Sequence, residues 1–147
     1  MEILWEGLFL EEAEVLKAIQ SLRLESPFKK TPKDYHVTTE FKPAETHENL
    51  YGEKAIVTAT LYQKGLVTYR EKETGAEGFL VEIKTENPEL QKVLSINRKW
   101  HITTSFEDWA VTTNLLNFEK GEKVCFIFEA TFGGFDEESN KPFLGEG

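Results

Sequence analysis

Two segments of this chain are near copies of one another: His36-Val-Thr-Thr-Glu-Phe41 and His101-Ile-Thr-Thr-Ser-Phe106. They recur after about 65 residues, too long a period and too few copies for a stacked repeat array. The match reaches further out. Gly52-Glu53-Lys54 opens a β-branched run in the first half, and Gly121-Glu122-Lys123 opens a similar run in the second. Such a chain is expected to fold as two related halves that place their His-x-Thr segments alike.

The local patterns agree with duplication. In the first half, Leu4 to Leu10 reads as a strand. Glu11 to Arg23 reads as a helix, with Val15, Leu16, Ala18, Ile19 and Leu22 at helical spacing, and its charges suit the helix dipole. A loop over 26–34 leads to a strand from Tyr35 to Phe41, and Lys54 to Gln63 reads as another. In the second half, Gly78 to Ile83 alternates like a strand. Asn87-Pro88 is an N-cap and first-turn pair for a short helix carrying Leu90, Val93 and Leu94. Trp100 to Phe106 and Lys123 to Phe132 complete the set. The expected fold is a single α+β domain over 1–147 with two pseudo-symmetric lobes, about 1–64 and 78–135. Each lobe is an antiparallel sheet backed by a helix, and a central groove separates them. Residues 64–77 are expected to cross between lobes, and the polar tail 136–147 to be loosely ordered.

Strand alternation puts His36 and Thr38 on one face, and His101 and Thr103 on one face, with Val37 and Ile102 behind them. Phe41 and Phe106 count to the apolar side. A pseudo-twofold then gathers two imidazoles and two hydroxyls around a common centre. That set suits phosphodiester cleavage. One histidine acts as base and the other, protonated, donates to the leaving oxygen, while the hydroxyls bind non-bridging oxygens.

Composition limits the partners. A net charge of −9 argues against a long nucleic acid, which is held through many Lys and Arg contacts to phosphate. A small anionic nucleotide held in a local pocket is compatible with it. The start of the chain lacks the basic opening of a secretory signal, and no apolar run suffices to span a bilayer, so no membrane partner is expected. The single cysteine, Cys125, fits a reducing, cytoplasmic setting. Oligomeric state is left open.

Several further residues are candidates for binding substrate. Lys29, Lys30 and Lys33 precede His36, and Arg98 and Lys99 precede His101. They either focus an anion on the groove mouth or are solvated loop charges. Glu129 interrupts an apolar strand, so it either shares the groove or sits on a solvent-exposed edge. Trp5, Tyr51, Tyr69 and Trp109 are candidate rim aromatics, whereas Tyr35 and Trp100 point to the core. His47 lies in a polar turn and reads as a surface residue. No spacing of His47, Cys125 and the motif histidines makes a zinc site, so neither metal nor cofactor is expected.

With its paired His-x-Thr segments, one per half of a duplicated α+β chain, the sequence resembles the 2H phosphoesterase superfamily. That superfamily includes LigT-like RNA phosphodiesterases, the cyclic phosphodiesterase domains of tRNA ligases, and phage anti-CBASS enzymes that destroy cyclic-oligonucleotide signals. The resemblance implies a metal-independent phosphodiesterase with His36 and His101 as the acid/base pair and Thr38 and Thr103 as phosphate ligands. Its substrate would be a small cyclic nucleotide or cyclic oligonucleotide. The alternatives are a 2′,3′-cyclic phosphodiesterase acting on RNA ends and a non-catalytic module that sequesters a nucleotide.

Overall fold

The computed structural model describes residues 2–23, 27–69, 71–95, 100–107 and 121–145. In chain order the elements are β1 (Ile3–Leu10), α1 (Glu12–Leu22), β2 (His36–Phe41), a 3-10 turn (Glu48–Leu50), β3 (Lys54–Tyr69), β4 (Lys72–Lys84), α2 (Pro88–Leu94), β5 (Trp100–Phe106), β6 (Glu122–Asp136) and β7 (Lys141–Phe143). The helices form where the apolar spacing and end signals place them. At the start of α2 the Asn87 side chain accepts from the backbone N–H groups of Glu89 and Leu90, and Pro88 takes the first turn.

The two expected helix-backed lobes are not what forms. The strands make one continuous antiparallel sheet in the order β2-β1-β6-β3-β4-β5, with β7 added to β6, and this sheet curls into a nearly closed barrel. The reason is an exchange of closing strands. β3, which ends the first copy, pairs with β4 of the second, and β6, which ends the second copy, pairs with β1 of the first. β3 and β6 also pair with each other, and Thr58 lies opposite Ile127. These two residues are equivalent when Gly52 is set on Gly121, so the pseudo-twofold passes through the sheet instead of between two sheets. Residues 64–77 are correspondingly a β3–β4 hairpin rather than a crossing, with Tyr69 opposite Lys72 and Glu71 at φ 65°. The tail is not loose either, since Lys141–Phe143 pairs with Gly134–Asp136.

Each motif strand meets its neighbour in the same register. On β1 and β2, Phe9 faces His36, Leu8 faces Val37, Gly7 faces Thr38 and Glu6 faces Glu40. On β4 and β5, Leu80 faces His101, Phe79 faces Ile102, Gly78 faces Thr103 and Glu77 faces Ser105. In both pairs the motif strand carries one extra residue, Thr39 or Thr104, opposite a Glu-Gly step. This β-bulge reverses the alternation beyond it. Phe41 is therefore 56% exposed instead of facing the core, and Phe106 turns toward a cavity beside His36.

The helix-packed face of the sheet holds the core. Leu8, Val37, Val57, Phe79, Ile102 and Phe132 on the strands meet Val15 and Ile19 of α1 and Leu90 and Leu94 of α2. Within this face Glu77 is completely buried. The Arg23 guanidinium donates to it through Nε and Nη2, and the hydroxyls of Tyr62, Thr104 and Ser105 donate as well. Burial pushes its pKa up, but the bonds from Arg23, Thr104 and Tyr62 and the charge of Arg23 outweigh it, and the net shift is downward.

Arg23→Ala would strand that carboxylate, and breaking a buried pair costs about 3–5 kcal/mol. In the wild type the folded pKa of Glu77 lies below its ordinary 4.5, so the contribution is complete above that pH and is lost as pH falls through the folded value. Without Arg23, burial governs and raises the folded pKa. The variant's deficit should then be largest at neutral pH and shrink on acidification below the unfolded pKa. Urea denaturation of both proteins at pH 7 and near pH 4 checks this; a deficit independent of pH would contradict it.

Candidate active site

β2 and β5 stand at opposite ends of the strand order, and the curl of the sheet brings them side by side. A two-bond backbone bridge between Lys30 and Phe106, at 3.1 and 2.8 Å, fastens the seam just ahead of β2. The two His-x-Thr segments thus meet across the seam, on the face away from the helices.

His36 is held on three sides. Its Nδ1–H donates to the Asp34 carbonyl at 2.7 Å, which fixes the tautomer with the proton on Nδ1. The Trp5 indole stacks on the imidazole with centroids 4.2 Å apart, and Phe9 lies 6.3 Å away on the neighbouring strand. Trp5 is itself backed by Phe135, parallel within 1° at 5.4 Å. Gly7 makes this stack possible. A Cβ there would strike the Val37 carbonyl oxygen and come within 3.1 Å of the indole, so only glycine lets Trp5 lie down over the strand. Burial lowers the His36 pKa below 6.5, opposed by the hydrogen bond and charge of Asp34.

His101 is lowered to about 4, first by burial and second by the charge of His36. The second cause means that the two imidazoles are near enough to repel when both are charged. At His101 both causes act downward, whereas at His36 Asp34 opposes the burial. The hydrogen bond and charge of Asp34 thus favour a proton on His36, against the burial that disfavours it.

The two threonines of each motif divide the work. Thr38 and Thr103 share the histidine face, the first half-buried and the second buried. Thr39 and Thr104 turn inward at the bulges, where Thr39 donates to the Glu6 carbonyl at 3.1 Å and Thr104 to the Glu77 carboxylate at 2.6 Å.

A cavity of about 230 Å³ opens beside His36, lined among others by Trp5, Lys33, Asp34, Phe106 and Phe135. Trp5 and Lys33, both candidates from sequence, are thus brought to the first histidine, with Lys33 donating to the Asn140 carbonyl at 2.8 Å. Glu129 is not. Its side chain is 70% exposed and lies 3.9 Å from Lys54 at a different surface pocket, which fits the solvent-edge alternative. Arg98, Lys99 and Trp109 lie outside the described residues. Asp34, Phe106 and Phe135 escaped the sequence reading. Asp34 contributes a backbone carbonyl, which leaves no side-chain signal, while Phe106 and Phe135 reach the cavity only through the bulge and the exchanged β6.

NMR titration of the imidazole resonances tests this electrostatic account. His101 should titrate near pH 4 and His36 below 6.5. Replacing His36 with Asn should raise the His101 value by removing the repulsion, yet leave it under 6.5 because burial persists. Both shifts favour the neutral imidazole in the folded state. The stability they contribute is complete above pH 6.5 and is lost as pH falls through the folded values. An unchanged His101 pKa in the His36 variant would show that the pair is not coupled. Comparisons with protein-family models, with curated proteins and with solved structures returned no match to this chain.

Proposed function

We propose that this chain is a 2H-type phosphodiesterase that hydrolyses a small cyclic nucleotide or cyclic oligonucleotide by acid–base catalysis between His36 and His101. One observation carries the reading. Two His-x-Thr segments in identical register, from opposite ends of the sheet, are adjacent, and their imidazoles sense each other's charge.

Bound between the imidazoles, the anionic phosphodiester favours protonation of the pair, and the Asp34 carbonyl on Nδ1 favours His36 as the carrier of that proton. Neutral His101 takes a proton from the attacking water as the new P–O bond forms. His36, through Nε2–H, gives its proton to the departing oxygen as the old P–O bond breaks. Thr38 and Thr103 donate to the non-bridging oxygens, where charge resides through the transition state. Trp5 and Phe135 form an aromatic wall at the cavity, suited to a nucleobase or ribose, and Lys33 places positive charge at its edge. A net charge of −9 favours a short anion over a long RNA. A free, exposed Cys125 fits a reducing, cytoplasmic setting.

A turnover screen of cyclic dinucleotides, cyclic trinucleotides and 2′,3′-cyclic mononucleotides by mass spectrometry is the direct test. Absence of any phosphodiesterase product, with tight binding retained, would favour nucleotide sequestration instead. Far better cleavage of a long RNA bearing a 2′,3′-cyclic end would favour RNA-end processing. On the preferred substrate His36→Ala and His101→Ala should each lose about 10²–10⁴-fold in kcat.

The roles of the two histidines separate with a p-nitrophenyl phosphodiester, whose leaving group departs without a proton. His36→Ala should recover most of its activity on that substrate, and His101→Ala should not. The opposite pattern would exchange acid and base.

A further inference from the structure

The equivalence of the two halves exposes one place where they differ in charge. At the second bulge the buried carboxylate of Glu77 is neutralised by the guanidinium of Arg23 and receives the hydroxyl of its cross-strand neighbour Ser105. Glu6 occupies the matching position at the first bulge and is also completely buried. Its cross-strand neighbour is a second carboxylate, Glu40. Among the described residues no lysine or arginine pairs with either glutamate. Beside Glu6 stands the imidazole of His47, whose Nδ1 lies 2.7 Å from Glu6 Oε1.

We propose that Glu6, Glu40 and His47 form a binding site for a divalent transition-metal cation, best suited to zinc, that clamps the segment after β2 onto β1. One ligand atom from each of the three residues lies within 4.8 Å of the other two. With Zn–N and Zn–O bonds of about 2.0–2.1 Å, neighbouring ligand atoms around a tetrahedral ion stand roughly 3.3 Å apart. Small rotations of Glu40 and His47 span the difference. Glu6 is already oriented for the task. Its Oε2 accepts from the His47 backbone N–H and the Tyr51 hydroxyl, both at 2.7 Å, which leaves Oε1 to face His47 and the ion. One imidazole nitrogen with two carboxylate oxygens suits zinc better than magnesium, which prefers an all-oxygen octahedron. The side chain of His47 is 31% exposed, which leaves an approach from solvent and room for a water as fourth ligand.

The charges favour the same conclusion. Two carboxylates, one of them out of water, repel each other and lose hydration, and a divalent ion neutralises both. The site also lies apart from catalysis. Glu6 alternates with Trp5 and Gly7 along β1, so it faces away from the side on which Trp5 covers His36. The ion would therefore act on stability and leave the reacting groups untouched. The sequence reading placed His47 on the surface, and nothing in its spacing marks Glu6 and Glu40 as partners, since only the β1–β2 register brings them together.

The experiment uses the full chain, stripped with chelator and dialysed. Titration with zinc chloride by calorimetry should give one site per chain with micromolar or tighter affinity, and saturation should raise the melting temperature by roughly 5 °C. Glu40→Gln, which keeps shape and removes one ligand charge, should weaken binding at least tenfold and remove the thermal shift. His47→Ala should do the same. Because His47 also bonds Glu6, the Glu40 variant decides the matter if the His47 variant fails to fold. A His36→Ala/His101→Ala double variant should bind zinc as the wild type does. No binding by wild type at 100 μM-order zinc (about a hundredfold above the expected dissociation constant) would overturn the proposal. So would undiminished binding by Glu40→Gln, or loss of binding confined to the double variant.

Discussion

At each end of the curled sheet the motif strand is one residue longer than its partner, and a buried glutamate sits opposite the surplus residue. The rest of the architecture depends on this arrangement. The extra residue lets His36 and Thr38, or His101 and Thr103, project from one face while Thr39 or Thr104 is drawn inward by a hydrogen bond. Without the bulge the strand would keep simple alternation, and Phe106 would point into the core instead of toward the cavity. The glutamate is costly to bury, and each copy offsets that cost with its own set of donors. The glycine that follows it has its own task at the first bulge, where Trp5 lies against the strand.

Exchange of β3 and β6 between the two copies converts this local geometry into a shared site. Had each copy kept its own closing strand, two small sheets would hinge about a linker, and the spacing of the histidines would vary with the hinge. Because the exchanged strands pair with each other, the copies share an uninterrupted ladder from β2 to β5. The curl of that ladder fixes the distance across the seam, and the Lys30–Phe106 bridge holds it. Bringing two imidazoles together in partly desolvated surroundings lowers their affinity for protons.

Much of this was legible in the residues. The helices, the short motif strands and the Asn87 cap follow from periodicity and end signals, and the equivalence of the halves follows from the repeated motif. The strand exchange was not legible, because a β-branched run such as Lys54 to Gln63 carries no mark of which edge it will join. The bulges were missed for a related reason. Thr39 and Thr104 look like ordinary strand residues until the partner strand shows one residue fewer. Glu6 and Glu77 were not read as buried, since a glutamate usually stays in water unless paired, and their partners are distant in sequence. Trp5 could be picked as an aromatic near the site, but its stack on His36 depends on Gly7, and the two are related only through the β1–β2 pair.

The repeat supplies two equal histidines, but the proposed acid–base chemistry needs unequal ones. The copies have diverged around the motif while the motif itself is nearly unchanged. The first histidine has Asp34 on its Nδ1 and an indole on its ring, and it faces Phe9 across the strand pair. The second faces Leu80 at the corresponding place. The carbonyl and charge of Asp34 support a proton on His36, while the charge that follows disfavours a second proton on His101. Identical side chains in matching backbone positions thus come to differ electrostatically through their neighbours. The same divergence reaches the buried carboxylates, where one copy retains a guanidinium and the other an imidazole beside a second acid. The histidine face and the glutamate face have therefore each departed from the symmetry of the repeat, while the backbone that carries them has kept it.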